Sequence, residues 1–105
     1  MRILFDQGTP APLRAFLTGH VVVTAFETGW SDLSNGDLIA AAEREFDLLI
    51  TTDQNLKYQQ NLSARTLAIL VLNTTNWPKL RTQAAAIAKR VDEMKPGDYA
   101  EYFAV

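Results

Sequence analysis

Two short, unbroken runs of β-prone residues each lead into an aspartate: Ile3-Leu4-Phe5 into Asp6, and Leu48-Leu49-Ile50 through two threonines into Asp53. Runs that are apolar at every position, rather than at alternate ones, belong to strands covered on both faces, the environment of a parallel sheet with helices above and below. In such sheets ligands collect beyond the carboxyl ends of the strands, so both aspartates are expected at the functional edge. If the two strands are neighbours, carboxylates remote in sequence meet at one spot, and a cation between them relieves their repulsion.

The rest of the chain supplies the partners such a sheet needs. Residues 1–6 are expected as the first strand, followed by a turn at Gly8-Thr9-Pro10 in which Thr9 caps a helix over 10–17. A second strand covers 20–26 and a loop 27–36. Ser34 or Asn35 then caps a helix over 36–45 that buries Leu38, Ile39, Ala42 and Phe46. Residues 47–52 form the third strand, 54–63 a loop with one helical turn, and 65–72 the fourth and most apolar strand. Pro78 opens a single helix running to about Met94. The alternation of Tyr99, Glu101, Phe103 and Val105 suits a short edge strand or an irregular end. This order predicts an α/β fold: one domain over residues 1–105, three layers (α/β/α) around a central, mostly parallel sheet of four to five strands joined by right-handed crossovers.

Composition narrows the function classes. A chain of 105 residues builds one core. Its net charge of −2 sets up no global field that would recruit nucleic acid, so any such contact is local. The absence of cysteine excludes disulfides, thiolate nucleophiles and zinc ribbons and fits a reducing compartment. No stretch reaches the roughly 18 apolar residues of a membrane span, and the opening apolar run is too short for a secretion signal, so a cytoplasmic address without membrane contact is expected. His20, the single histidine, precedes a strand and belongs at the rim opposite the aspartates. There is no Gly-x-Ser-x-Gly elbow, phosphate-binding loop or dinucleotide fingerprint.

The acidic residues carry the chemistry. Asp37, in the first turn of the second helix, joins Asp6 and Asp53 if the 27–36 loop climbs back over the sheet edge. Three hard oxygens of this kind suit Mg²⁺ or Mn²⁺, which retain waters that a substrate phosphate can displace. Each aspartate also has a purely structural reading. Asp37 can serve the helix dipole, Asp6 an Asx-turn over Gln7-Gly8, and Asp53 a loop cap beside Asn55. Gln54, Asn55, Lys57 and Tyr58 follow Asp53 closely. Amides, a cation and an aromatic can hold phosphate or stack on an unpaired base, and can equally form a solvated loop or a partner contact. Trp30 and Trp77 are assigned to packing.

Leu4-Phe5-Asp6-Gln7-Gly8-Thr9-Pro10, then Asn35-Gly36-Asp37-Leu38-Ile39-Ala40, then Leu49-Ile50-Thr51-Thr52-Asp53-Gln54-Asn55-Leu56 resemble the small single-domain PIN-like family over nearly the whole chain. The strand ending in Thr-x-Asp is the most specific of the three segments. The resemblance implies a metal-dependent endoribonuclease, the toxin half of a bacterial toxin–antitoxin pair. Asp6, Asp37 and Asp53 then correspond to the acidic set, with RNA as substrate, an antitoxin protein as partner and a homodimer as a possible assembly. A full PIN site usually carries a fourth acid near the third, where this chain has Gln54 and Asn55, with Asn73 at the end of the fourth strand. That departure keeps open an alternative, a catalytically degenerate PIN-like module that binds a protein partner or RNA without cleaving it. A receiver-type phosphoacceptor would need an acidic pair on the first strand and a lysine after the last, and neither stands out.

Overall fold

Successive side chains of a strand point to opposite faces, so a strand that is apolar throughout divides its residues between two cores. The computed structural model describes residues 1–59, 62 and 65–105 and shows that division. Strands β1 (Arg2–Phe5), β2 (Val21–Thr24), β3 (Leu48–Thr51), β4 (Ala68–Leu72) and β5 (Tyr99–Tyr102) form one sheet in the order β2-β1-β3-β4-β5, and every neighbouring pair is parallel. Ile3, Phe5, Leu48, Ile50, Ala68, Leu70 and Leu72 face one core. Leu4, Leu49, Ile69 and Val71 face the other. The three central strands are buried almost completely, whereas β2, at an edge, leaves Val21 exposed.

Helices cover both faces. On the second core lie α2 (Asn35–Glu45), through Leu38, Ile39 and Ala42, and α3 (Leu56–Gln59), through Leu56. On the first lie a 3-10 segment (Ala11–Phe16), through Leu13, and the pair α4 (Trp77–Arg81) and α5 (Ala84–Glu93), through Leu80, Ala84, Ile87 and Val91. No helix among the described residues is long and apolar enough to cross a membrane.

Four local expectations change. Thr9 is no cap, because it is buried and its hydroxyl donates to the Ile50 carbonyl at 2.8 Å; Pro10 opens the segment instead, and residues 11–16 are 3-10 rather than α-helical. Ala25 and Phe26 leave the second strand and start α1 (Ala25–Thr28), because a Thr24–Glu27 capping box satisfies the backbone there. The helix expected from Pro78 to Met94 is two, broken at Thr82 and Gln83. At the break the Thr82 hydroxyl donates to the Lys79 carbonyl, and the Gln83 side chain accepts from the Tyr102 hydroxyl and donates to the Val105 carbonyl, pinning the end of β5.

The fourth change concerns handedness. The β4–β5 connection passes over the first core, while β2–β3 and β3–β4, which step in the same direction along the sheet, pass over the second. It therefore has the opposite hand, a departure from the uniform right-handed crossovers expected. The six-residue 3-10 segment is too short to cover the first face alone, and α4 and α5 pack against it to close that core.

Candidate functional site

The site follows from strand order and register. The chain leaves β1 outward to β2, then returns past β1 to β3, so the sheet changes direction between β1 and β3. The segment after β1 departs over the first core and the segment after β3 over the second, which opens a crevice at the carboxyl ends of these two strands. Phe5 pairs with Ile50, and the Asp6 amide extends the ladder to the Ile50 carbonyl at 3.0 Å, setting Asp6 beside Thr51.

Thr51, only 1% exposed, ties the two aspartates together. Its hydroxyl donates to Asp6 Oδ2 at 2.8 Å and accepts from the Asp53 amide at 3.1 Å. The other acceptor positions take neutral donors: the Gln7 amide on Asp6 Oδ1 at 2.7 Å, the Asn55 amide on Asp53 Oδ1 at 3.0 Å, and Asn35 Nδ2 on Asp53 Oδ2 at 2.7 Å. The cap expected at Asp53 beside Asn55 is thus present as an Asx-turn, whereas at Asp6 the carboxylate takes the amide of the adjacent Gln7 rather than that of Gly8, so the Asx-turn expected over Gln7-Gly8 is replaced by a bond to the next residue. Among the described residues neither carboxylate forms an ion pair. Gly8 lets the turn after β1 lie close on β3, since a Cβ there would stand 2.5 Å from Thr52 Oγ1.

Asp37 reaches the same rim but not the same point. The Asn35–Asp53 bond places the start of α2 at the carboxyl edge, where a helix returning antiparallel to its strands begins, so no climb over the edge is needed. Asp37 is exposed in the first turn, and its amide donates to the Ser34 cap at 3.3 Å. Two residues along a helix are about 200° apart around its axis, so with Asn35 directed at Asp53 the Asp37 side chain is carried away from it. Among the described residues no three histidine, cysteine, aspartate or glutamate side chains gather closely enough to hold an ion. The donor set on the lip is two carboxylates. Mg²⁺ is commonly held by one or two carboxylates with water and phosphate oxygens completing its shell, and each of these oxygens keeps a second lone pair, so the pair suits a hard cation.

No protein-family model, curated protein or solved structure matches the chain.

The residues after Asp53 make contacts within the fold. Gln54 Nε2 donates to the Asn73 carbonyl at 2.9 Å, and Lys57 Nζ pairs with Glu101 of β5 at 3.0 Å. Asn55 contributes its backbone amide to Asp53, and the Tyr58 side chain lies outside the described residues. Asn73, where a PIN-like site could carry an acid, uses its amide group on the backbone of Ala104, donating at 3.2 Å and accepting at 2.9 Å. His20 sits at the far rim against Asp92 at 2.6 Å. Trp30 meets Phe46 edge-on and Trp77 lies against Phe16, both half-buried packing residues.

Thr51, Asn35 and Arg14 take part in the site or its walls without being marked for it by sequence. The Thr-x-Asp spacing carried a signal for Thr51, because a hydroxyl two residues before an aspartate at a strand end can bridge to a neighbouring strand. Asn35 carried a signal only as a helix-capping residue. Nothing in the sequence pairs Arg14 with Glu27, yet its guanidinium donates to both carboxylate oxygens at 3.2 and 2.9 Å. The Thr24 backbone amide first, and then Arg14, hold the Glu27 carboxyl below the usual carboxylate value.

Proposed function

We propose that the lip between β1 and β3 is a divalent-cation site serving phosphodiester hydrolysis, and that the protein is a Mg²⁺- or Mn²⁺-dependent endoribonuclease of PIN-like type, the toxin half of a pair with an antitoxin protein. The observation that carries this reading is the meeting of Asp6 and Asp53, 47 positions apart in sequence, across the Thr51 hydroxyl at the point where the sheet changes direction. Asp6 and Asp53 hold the ion, Thr51 and Asn35 fix their orientation, and Asp37 adds negative charge at the same rim. The ion, when bound, neutralises phosphate charge and acidifies water. The RNA substrate and the toxin role come from the family resemblance.

A second reading has its own observation. Both oxygens of each carboxylate already accept a hydrogen bond within the fold, as they would in a PIN-like module that binds RNA or a protein without cleaving. Cleavage of a mixed-sequence RNA in Mn²⁺ separates the two. The nuclease reading expects activity that excess chelator abolishes and that Asp6→Asn lowers at least about a hundred-fold, with Asp37→Asn milder. Cleavage that survives in chelator or in Asp6→Asn removes it.

A further inference from the structure

A cavity of about 530 Å³ opens directly beside the acidic lip, and Asp6 is part of its wall. Gly8, Arg14, Thr24, Phe26 and Thr75 also line it. Phe26 is the unusual member: it is 81% exposed, far more than any other aromatic side chain among the described residues except Phe103. Its backbone is held at both ends. The turn that carries it is closed in front by the Thr24–Glu27 capping box and behind by Gly29 in the left-handed conformation at φ 80°, while the Thr28 hydroxyl donates back to the Ala25 carbonyl. Arg14 grips Glu27 from the side and spends two of its five N–H donors in doing so. An aromatic face carried on a well-bonded turn, open to solvent and adjoining a cavity, is placed where a flat ring can be laid on it.

We propose that this cavity is a nucleobase subsite, in which an unpaired base of single-stranded RNA stacks on Phe26 and the remaining Arg14 donors face the neighbouring phosphate. The proposal rests on the nuclease reading for the identity of the polymer and adds to it the side chain on which a base of that polymer rests. Because Asp6 belongs to both the lip and the cavity wall, a phosphodiester at the carboxylates has its adjoining nucleoside at the cavity mouth. Stacking uses the π-face common to all four bases, so the subsite selects for unpaired over paired RNA rather than for sequence. The net charge of −2 is compatible with this, since stacking needs no basic field.

The test is fluorescence anisotropy with a labelled, cleavage-resistant phosphorothioate oligoribonucleotide of mixed sequence in Mg²⁺, free and annealed to its complement. Wild type should bind the single strand saturably and the duplex far less. Phe26→Ala should weaken single-strand binding by roughly ten-fold or more, and Phe26→Trp should restore it. With so exposed a side chain, both variants should melt as wild type does. Equal binding by wild type and Phe26→Ala, equal affinity for duplex and single strand, or no binding by wild type overturns the subsite. The two readings fail separately. If Asp6-dependent cleavage proceeds with unchanged KM in Phe26→Ala, the subsite is wrong and the nuclease stands. If Phe26 governs binding while cleavage is absent or independent of Asp6, the subsite stands and the nuclease is wrong.

Discussion

Thr51 is the residue on which the site turns. A threonine at the end of a buried strand ordinarily satisfies its hydroxyl on nearby backbone; here the hydroxyl is spent between two carboxylate-bearing residues of different strands. Valine has nearly the same shape and no hydrogen-bonding group. Thr51→Val therefore leaves the Asp53 amide and one Asp6 oxygen short of a partner, and should cost about 1–3 kcal/mol in chemical denaturation. Thr51→Ser, which keeps the hydroxyl, should recover most of that loss. A Val variant as stable as wild type would mean that the bridge contributes nothing. At this scale the sequence was legible for Asp6 and Asp53, whose position at strand ends follows from unbroken apolar runs. It was silent on the direction of Asp37, because a helix phase shift of one residue turns each side chain by about 100° and so changes which one faces the lip. Lys57 and Gln54 were legible as polar, but their engagement within the fold was not, since their partners Glu101 and Asn73 lie 44 and 19 positions away.

Among the elements, the four-residue helix α1 shows most plainly how a local rule overrides a propensity. The run of residues 20–26 is β-prone, yet Thr24 and Glu27 form a reciprocal cap that stops the strand and turns the chain. The Thr24 amide and the Arg14 guanidinium favour the ionised Glu27, and its carboxyl sits below the usual glutamate value. A carboxylate with a lowered folded pKa stabilises fully above its unfolded value and loses that contribution as pH falls through the folded value. Wild type should therefore melt above Glu27→Gln at neutral pH, and the gap should close as pH drops below the unperturbed glutamate value of about 4.3. Thermal melts of both proteins across that range check the sign; a gap that widens in acid contradicts it. The break between α4 and α5 was less legible, because residues 78–94 keep a helical apolar pattern throughout. The division is tertiary in origin: Gln83 turns to hold Tyr102 and Val105 at the end of β5.

For the molecule as a whole, the fold class was legible and the path of the chain was not entirely so. Unbroken apolar strands alternating with helical stretches imply a parallel sheet with two cores, and five parallel strands between two helical layers realise it. Handedness escaped, because no residue pattern states which face a crossover will cover; that is settled by which core lacks a lid. The order β2-β1-β3 makes two sequence-distant aspartates neighbours, and the proposed cation site rests on that adjacency. Calorimetric titration of Mn²⁺ into the wild-type protein, Asp6→Asn and Asp53→Asn measures whether the adjacency makes a cation site. One saturable site in wild type, lost in each variant while the thermal melt is kept, is the predicted result. No saturable uptake, or uptake undiminished in both variants, would contradict it.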